Sequence, residues 1–435
     1  MASFSRTFTF LALLNAFANA APTLGSSLSG LEGDVNSVLS SVTSITATAT
    51  PTSPAEASSI ISSIFNAVPT PSSYLQAAEQ LVAAGLTTEN FVQAIQFLED
   101  PLPAQASDQN VNLRNPTPPA YPQAGPNDAP YDLTEAQLRA AIYIPSTFKY
   151  GAKGAPQPAI LVPGTGNVGY QTFEGNYIPL LQGSNIADPV WLNIPGFLLN
   201  DAQTNSEYVA YAINYIYGIS NRRKVAVLAW SQGNINAQWA YKYWPSTRGR
   251  VTDHIGFSPD YHGTILTQSP SRVPEPPSFI QQAYNSQFIA TLRANGGDAA
   301  YVPTTTIYSG FLDEIVEPQQ GTGASGYLLS SSSAAASNNE VQVVCAGKPA
   351  GSFYTHEGTL YNPLGFALLK DALTHSGPGQ ASRLDLNTVC STYLTPGLDL
   401  ADFLLTEDVI VDAVVATGLY PHDVTTEPPI KPYAQ

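Results

Sequence analysis

The sequence predicts an α/β protein built on a mostly parallel sheet with helices on both faces, and three observations carry that reading. Beyond about residue 130, short apolar runs alternate with amphipathic stretches, the order expected of a βαβ chain. The run Val225-Ala-Val-Leu-Ala-Trp230 is apolar throughout, which suits a strand buried on both faces. It passes directly into Ser231-Gln-Gly233 and a segment that reads as a helix ending before Pro245. Ligands of such sheets sit at the carboxyl ends of the strands, where Ser231 falls.

Taken in order, the chain opens on Arg6, the apolar run Phe8 to Leu14 and Ala18-Asn-Ala20, which together read as a cleavable secretory leader over residues 1–20. Residues 21 to about 56 are rich in Ser, Thr, Ala and Pro. They carry too little apolar surface to offset chain entropy, so a mostly disordered segment is expected. Three short helices are predicted next, with stripes at Ile60/Ile61/Ile64/Phe65, at Leu75/Ala78/Leu81/Val82 and at Phe91/Ile95/Leu98. Thr87 or Thr88 is the expected cap of the third, and Pro101 its end. Such helices suit either a folding-assisting pro-segment or a packed extension. Pro101 to Pro130, rich in Pro, Asn and Gln, reads as an extended linker. The division is therefore leader 1–20, extension or pro-region 21–115, and catalytic domain 116–435.

Within that last part, strands are predicted at Pro158–Val162, Val190–Ile194, Val225–Trp230, His254–Phe257, Thr304–Tyr308 and Val341–Val344. Thr204-Asn-Ser-Glu207 reads as a capping box opening a helix that Gly218 stops.

Composition narrows the function. Only 11% of the 435 residues are charged, the net charge is −16 and the pI is near 4.5. Phosphate backbones need basic patches, so nucleic acid is excluded as a partner. After the leader no stretch is long and apolar enough for a transmembrane anchor, and a secreted, extracellular monomer is expected. Two cysteines, Cys345 and Cys390, allow one intrachain pair in an oxidising compartment.

The chemistry centres on Ser231. A serine on a sharp strand-to-helix turn, flanked by small residues such as Ala229 and Gly233, is a nucleophile elbow. A hydroxyl is a weak nucleophile at neutral pH and needs a histidine base held by an acid, in the chain order Ser, Asp or Glu, His. Of five histidines, His254 and His262 follow the serine too closely. His375 reads as a helix C-terminal charge and His422 lies in a Pro-rich tail. His356, in a loop before a helix starting near Thr359, is the candidate base. Asp260 and Asp313 are the candidate acids, and Asp313 is the better placed. The oxyanion donors are expected on the backbone of Gln232 and in the loop Gly164-Thr165-Gly166.

Six segments then carry a resemblance. Leu161-Val-Pro-Gly-Thr-Gly166, Leu199 to Tyr208, Trp230-Ser-Gln-Gly233, Ser258 to Thr264, Val302-Pro-Thr-Thr305 and Asp313 to Gln319 all resemble the Candida antarctica lipase B-like fungal lipases, from about residue 130 to near 395. The resemblance implies an α/β-hydrolase fold acting on carboxylic esters, with Ser231 as nucleophile, Asp313 as acid and His356 as base. It implies Thr165 and Gln232 in the oxyanion hole. Asp260 with Gln281 or Gln282 would line the acyl pocket, Trp230 would shape the alcohol side, and Cys345 would pair with Cys390. No cofactor and no metal are implied. Thr355 and Glu357 replace Asp and Ala beside the family's histidine, and Val190 stands where the type lipase has a cysteine. Glu357 is expected to raise the pKa of His356 if it lies close. Ile265 to Tyr284 and Leu400 to Ala416 are expected to border the entrance. The function implied is a secreted lipase acting on an ester or lipid substrate. An acyltransferase or polyester hydrolase with the same residues is the alternative, and a non-catalytic lipid or cell-wall binder is the alternative from another class.

Overall fold

The computed structural model of the protein describes residues 42–67, 74–267, 269–271, 274–310 and 313–435. The expected leader, and the first half of the Ser/Thr-rich stretch, lie outside the described residues. The helices and strands, in chain order, are α1 Pro54–Phe65, α2 Tyr74–Ala83, α3 Phe91–Glu99, α4 Glu135–Ala140, β1 Ile142–Tyr143, β2 Gln157–Val162, α5 Gly169–Phe173, α6 Tyr177–Leu181, β3 Ala187–Leu192 and α7 Ala202–Ile219. They continue with β4 Val225–Trp230, α8 Gln232–Tyr243, β5 Val251–Phe257, α9 Pro277–Gln281, α10 Gln287–Arg293, β6 Thr304–Tyr308, β7 Ala336–Glu340, α11 Val341–Val344, α12 Pro363–Thr374, α13 Leu386–Val389 and α14 Leu400–Gly418.

The strands form one seven-stranded sheet in the order β1-β3-β2-β4-β5-β6-β7, parallel except where β1 runs antiparallel to β3. Side chains of a strand alternate between faces, and here they feed two cores. Ala159 and Leu161 of β2, with Ala226, Leu228 and Trp230 of β4, enter one core. Ile160 and Val162, with Val225, Val227 and Ala229, enter the other. Helices α7 and α8 cover the second face and α12 lies against β5 and β6 on the first, while α14 and the three N-terminal helices extend that first core beyond the strands. This is the mostly parallel sheet with helices on both faces that the apolar runs predicted, and the α/β-hydrolase fold that the resemblance implied. The chain passes from β2 to β3 on one side and then crosses back past β2 to β4 on the other. The carboxyl ends of β2 and β4 therefore flank the topological switch point, where open α/β sheets take their ligands.

Several local readings are corrected. The strand expected at 341–344 is the short helix α11, and the edge strand is the polar Ala-Ser-Asn-Asn-Glu just before it. An edge strand pairs through backbone on one side only, here to β6, so it needs no apolar run. Strand β3 starts three residues earlier than expected and ends at Leu192, because the Asn193 amide turns to the carbonyls of Gln105 and Ser107 at 2.8 and 2.9 Å.

Helix α7 is capped by Asp201, not by a Thr204 box. Glu207 is instead buried against Lys431 at 2.8 Å and accepts from the backbone N–H groups of Asp132 and Leu133. Gly218 lies inside its last turn. Helix α3 is capped by Asn90, whose side chain accepts from Val92 and Gln93, while Thr88 is engaged elsewhere. The described part of the Ser/Thr-rich stretch is ordered by partners: Val42 is buried, and Thr48 donates to the Ala83 carbonyl through both its N–H and its hydroxyl. The Pro-rich stretch 101–130 is extended, as expected, but it is pinned along its length. Trp191 Nε1 donates to the Gln105 carbonyl at 2.8 Å, and Arg139 donates to that of Asn112 at 3.1 Å.

Candidate active site

The strand-to-helix turn after β4 places Ser231 at φ 52°, ψ −130°, a conformation L-residues avoid unless the surroundings impose it. Gly233 shows why the turn needs a small residue: a Cβ there would come within 2.5 Å of the Pro163 carbonyl oxygen. The turn is held by amides. Ser231 N–H donates to the Phe257 carbonyl at 3.0 Å, extending the β4–β5 ladder. The Asn234 amide donates to the carbonyls of Ala229, Ser231 and Phe257 at 3.2, 3.0 and 3.3 Å. Its oxygen accepts from His254 Nε2 at 2.9 Å, and Tyr241 O–H donates to His254 Nδ1 at 3.1 Å. Burial drives the His254 pKa down to about 3, so this histidine is a neutral brace.

Around Gln232 and Thr165 a chain of neutral side chains converges. Asn205 donates to Gln232 Oε1 at 3.1 Å, Gln232 Nε2 to Thr165 Oγ1 at 2.7 Å, and Thr165 to Gln282 Oε1 at 3.1 Å. As the first residue of α8, Gln232 has a backbone N–H with no intrahelical acceptor. Gln282 lines the cavity; Gln281 turns away, accepting from Ala202 N–H at 2.6 Å and donating to Asp201 at 2.7 Å.

The opposite side is acidic. His356 Nδ1 lies 2.9 Å from both carboxylate oxygens of Asp313, and Asp313 Oδ1 also accepts from Ile315 N–H at 3.2 Å and Val316 N–H at 2.7 Å. A carboxylate accepts only, so Nδ1 carries the hydrogen and Nε2 is the basic nitrogen. Nε2 is buried without a partner among the described residues, and His356 lines the same cavity as Ser231. The His356 carbonyl accepts from Trp230 Nε1 at 3.2 Å and Ser258 Oγ at 2.8 Å, and the Trp230 ring centre lies 5.0 Å from that of His356. Burial works to lower the His356 pKa, but the charge and hydrogen bond of Asp313, followed by Glu357 and Asp260, raise it overall. Asp260 is buried, neither of its oxygens has a partner, and burial pushes its pKa up to about 7. It does not line the cavity but adjoins His356 electrostatically.

The cavity, ≈ 620 Å³ out to its open mouth, is bounded by Leu266, Thr267 and Phe279 from one expected border segment and by Ala413 from the other. Cys345 and Cys390 form a disulfide across a separation of 45 residues, joining the end of α11 to the end of α13 on either side of the histidine loop. His375 caps α12 and approaches Asp371 at 3.1 Å, and His422 packs edge-on against Tyr420; neither reaches the cavity.

Sequence reasoning did not anticipate Asn205, Asn234 or the His254 brace. The available signal for the last was a histidine inside an otherwise strand-like run, with an Asn three residues after the serine. The strand predicted to end near Cys345 in fact ends at Glu340, so His356 is held between α11 and a 3₁₀ turn at Glu357–Tyr361.

No protein-family profile matches the chain. It is 36% identical to Lipase B of Pseudozyma antarctica over 289 residues, which are 64% of this chain and 79% of that protein. The crystal structure of Aspergillus fumigatus lipase B superposes with a TM-score of 0.85 at 44% identity, covering 98% of this chain and 100% of that one. The chain belongs to the lipase B family of fungal α/β-hydrolases.

Proposed function

We propose that the protein is a secreted lipase-type hydrolase that cleaves carboxylic esters through an acyl-enzyme on Ser231. One observation supports this reading: Asp313 holds His356 Nδ1 and leaves Nε2 free, in a residue that lines the same cavity as Ser231. In the first half-reaction Ser231 Oγ attacks the ester carbonyl carbon and its proton passes to His356 Nε2. The carbonyl π pair moves onto oxygen, where the Gln232 N–H and the Thr165 N–H and hydroxyl stabilise it. To donate, that hydroxyl leaves Gln282. Collapse of the intermediate expels the alkoxide, which takes the proton from His356. Water then repeats the sequence, His356 removing its proton, and releases the acid and free Ser231.

Asp313 orients the imidazole and stabilises its charged form. Trp230 is assigned to the alcohol side and Gln282 to the acyl side, as the resemblance implies; both line the cavity, with Leu266 and Phe279 at its border. The chemistry needs no metal or organic cofactor. The leader over residues 1–20, and a disulfide that suits an oxidising compartment, support export of a chain whose catalytic domain spans 116–435.

The test is Ser231→Ala in the full chain, assayed on p-nitrophenyl esters and with a fluorophosphonate probe. A folded variant with turnover reduced by about 10⁴-fold or more, and no label, is expected. Unchanged turnover would overturn the assignment.

A further inference from the structure

Helix α14 lies between two parts of the molecule that do not otherwise share a function. On one side are the N-terminal helices: Leu81, Val82, Phe91 and Ile95 pack in the same core as Val409, Ile410 and Val414. The contact is fastened by Asp408, whose Oδ1 accepts from the N–H groups of Thr88 at 2.8 Å and Glu89 at 3.2 Å, while its Oδ2 accepts from the Thr88 hydroxyl. One turn further along, the other side meets the loop that follows β2. Asn167 donates to the Val409 carbonyl at 3.1 Å, and Gln171 donates to Asp412 at 2.7 Å. Gly166, at φ +79°, sits so close that a Cβ would lie 2.6 Å from Ala413 Cα. Ala413 lines the cavity, and Gly166 follows Thr165 directly.

We propose that the N-terminal extension is a resident positioning element of the active site, with Asp408 as its contact residue, acting through α14 on the loop that carries Thr165. The proposal rests on the esterase reading above. It makes residues 54–99 part of the working enzyme, because removing them would strip Asp408 of three donors and uncover the apolar face of α14. The junction is held by acids without a cation. Glu89 from the extension, Glu174 after α5, and Asp408 and Asp412 of α14 adjoin one another, and none makes an ion pair among the described residues. Burial pushes Asp408 and Glu174 up to about 7, and Glu89 and Asp412 upward as well. The junction works by hydrogen bonding, and a carboxamide can replace the acid: its oxygen accepts from the N–H groups of Thr88 and Glu89, and its NH2 donates to the Thr88 oxygen, whose hydrogen turns away.

The experiment compares Asp408→Ala, Asp408→Asn and Thr88→Val in the full chain on p-nitrophenyl acetate, with rates expressed per site labelled by a fluorophosphonate. A displaced oxyanion donor weakens the transition state and not the ground state, so kcat is the sensitive readout. Asp408→Ala is expected to lose about tenfold in kcat with KM within about twofold, and Thr88→Val, which removes one hydroxyl, about threefold. Asp408→Asn is expected to stay within about twofold of the unmodified chain. The proposal is overturned if Asp408→Ala turns over normally per labelled site, or if Asp408→Asn falls as far as Asp408→Ala. If Asp408→Ala does not fold, Thr88→Val decides alone: full kcat overturns the proposal. Failure of the unmodified chain to label at Ser231 is a separate outcome, which removes the esterase reading on which the proposal stands.

Discussion

The two walls of the cavity are built from opposite chemistry. The wall of Ser231, Gln232 and Thr165 is supported by two neutral sets, the chain Asn205–Gln232–Thr165 and the pair Asn234–His254. The wall of His356 is supported by carboxyl groups: Asp313, Asp260, Glu357 and Glu407 are buried around it or behind it, and the half-buried Glu314 lines the cavity beside it. A wall of neutral dipoles holds geometry at any pH. A wall of buried acids makes the imidazole's basicity depend on which of its neighbours are ionised.

The largest expected difference between the walls comes from Asp313→Asn. The carboxamide keeps the shape but donates or accepts in the wrong sense at Nδ1, so Nε2 loses its role as base. Turnover of a p-nitrophenyl ester should fall by roughly 10³–10⁴-fold with the fold intact by circular dichroism. A loss below tenfold would assign the acid elsewhere, with Asp260 the first place to look.

Next is Asn234→Ala on the neutral wall. It takes one donor from each of three buried carbonyls, of which those of Phe257 and Ser231 keep a backbone N–H, and leaves His254 Nε2 without its acceptor. A loss of roughly 2–4 kcal/mol in unfolding free energy is expected from denaturant titration, similar at pH 6 and pH 8. A strong pH dependence of that loss would contradict the assignment of His254 as neutral across this range.

Smallest is Glu357→Gln on the acidic wall. Glu357 contributes to raising the His356 pKa, behind Asp313. A histidine with a raised pKa stays protonated to higher pH and becomes a base only above it. Removing the glutamate charge should therefore move the acidic limb of the kcat/KM profile to lower pH, by about one unit or less. An unmoved limb would mean that Glu357 is protonated throughout the working range.

The same contrast explains what was legible in the sequence. Strand β4 and the turn after it stood out because a strand buried on both faces must be apolar throughout, and because the elbow needs small residues beside the serine. Strand β7 was missed because an edge strand satisfies only backbone, so Ala-Ser-Asn-Asn-Glu carries no apolar signature while Val341-Gln-Val-Val344 falsely does. Thr204-Asn-Ser-Glu207 has the letters of a capping box, but Lys431, more than two hundred residues away, claims Glu207. Thr88 was read as a local cap and is instead bonded to Asp408. In each case a residue that satisfies a local rule was taken by a distant partner.

By itself, the sequence determined the central strands, the elbow and the order of serine, acid and histidine, since these follow from periodicity, small residues and chain order. Tertiary structure decided that Gln282 and not Gln281 faces the cavity, that Asp260 stands back from it, and that the N-terminal helices lean on α14. Those outcomes depend on where segments of the chain hundreds of residues apart come to rest, and on which buried polar groups find each other there. No local pattern encodes that pairing.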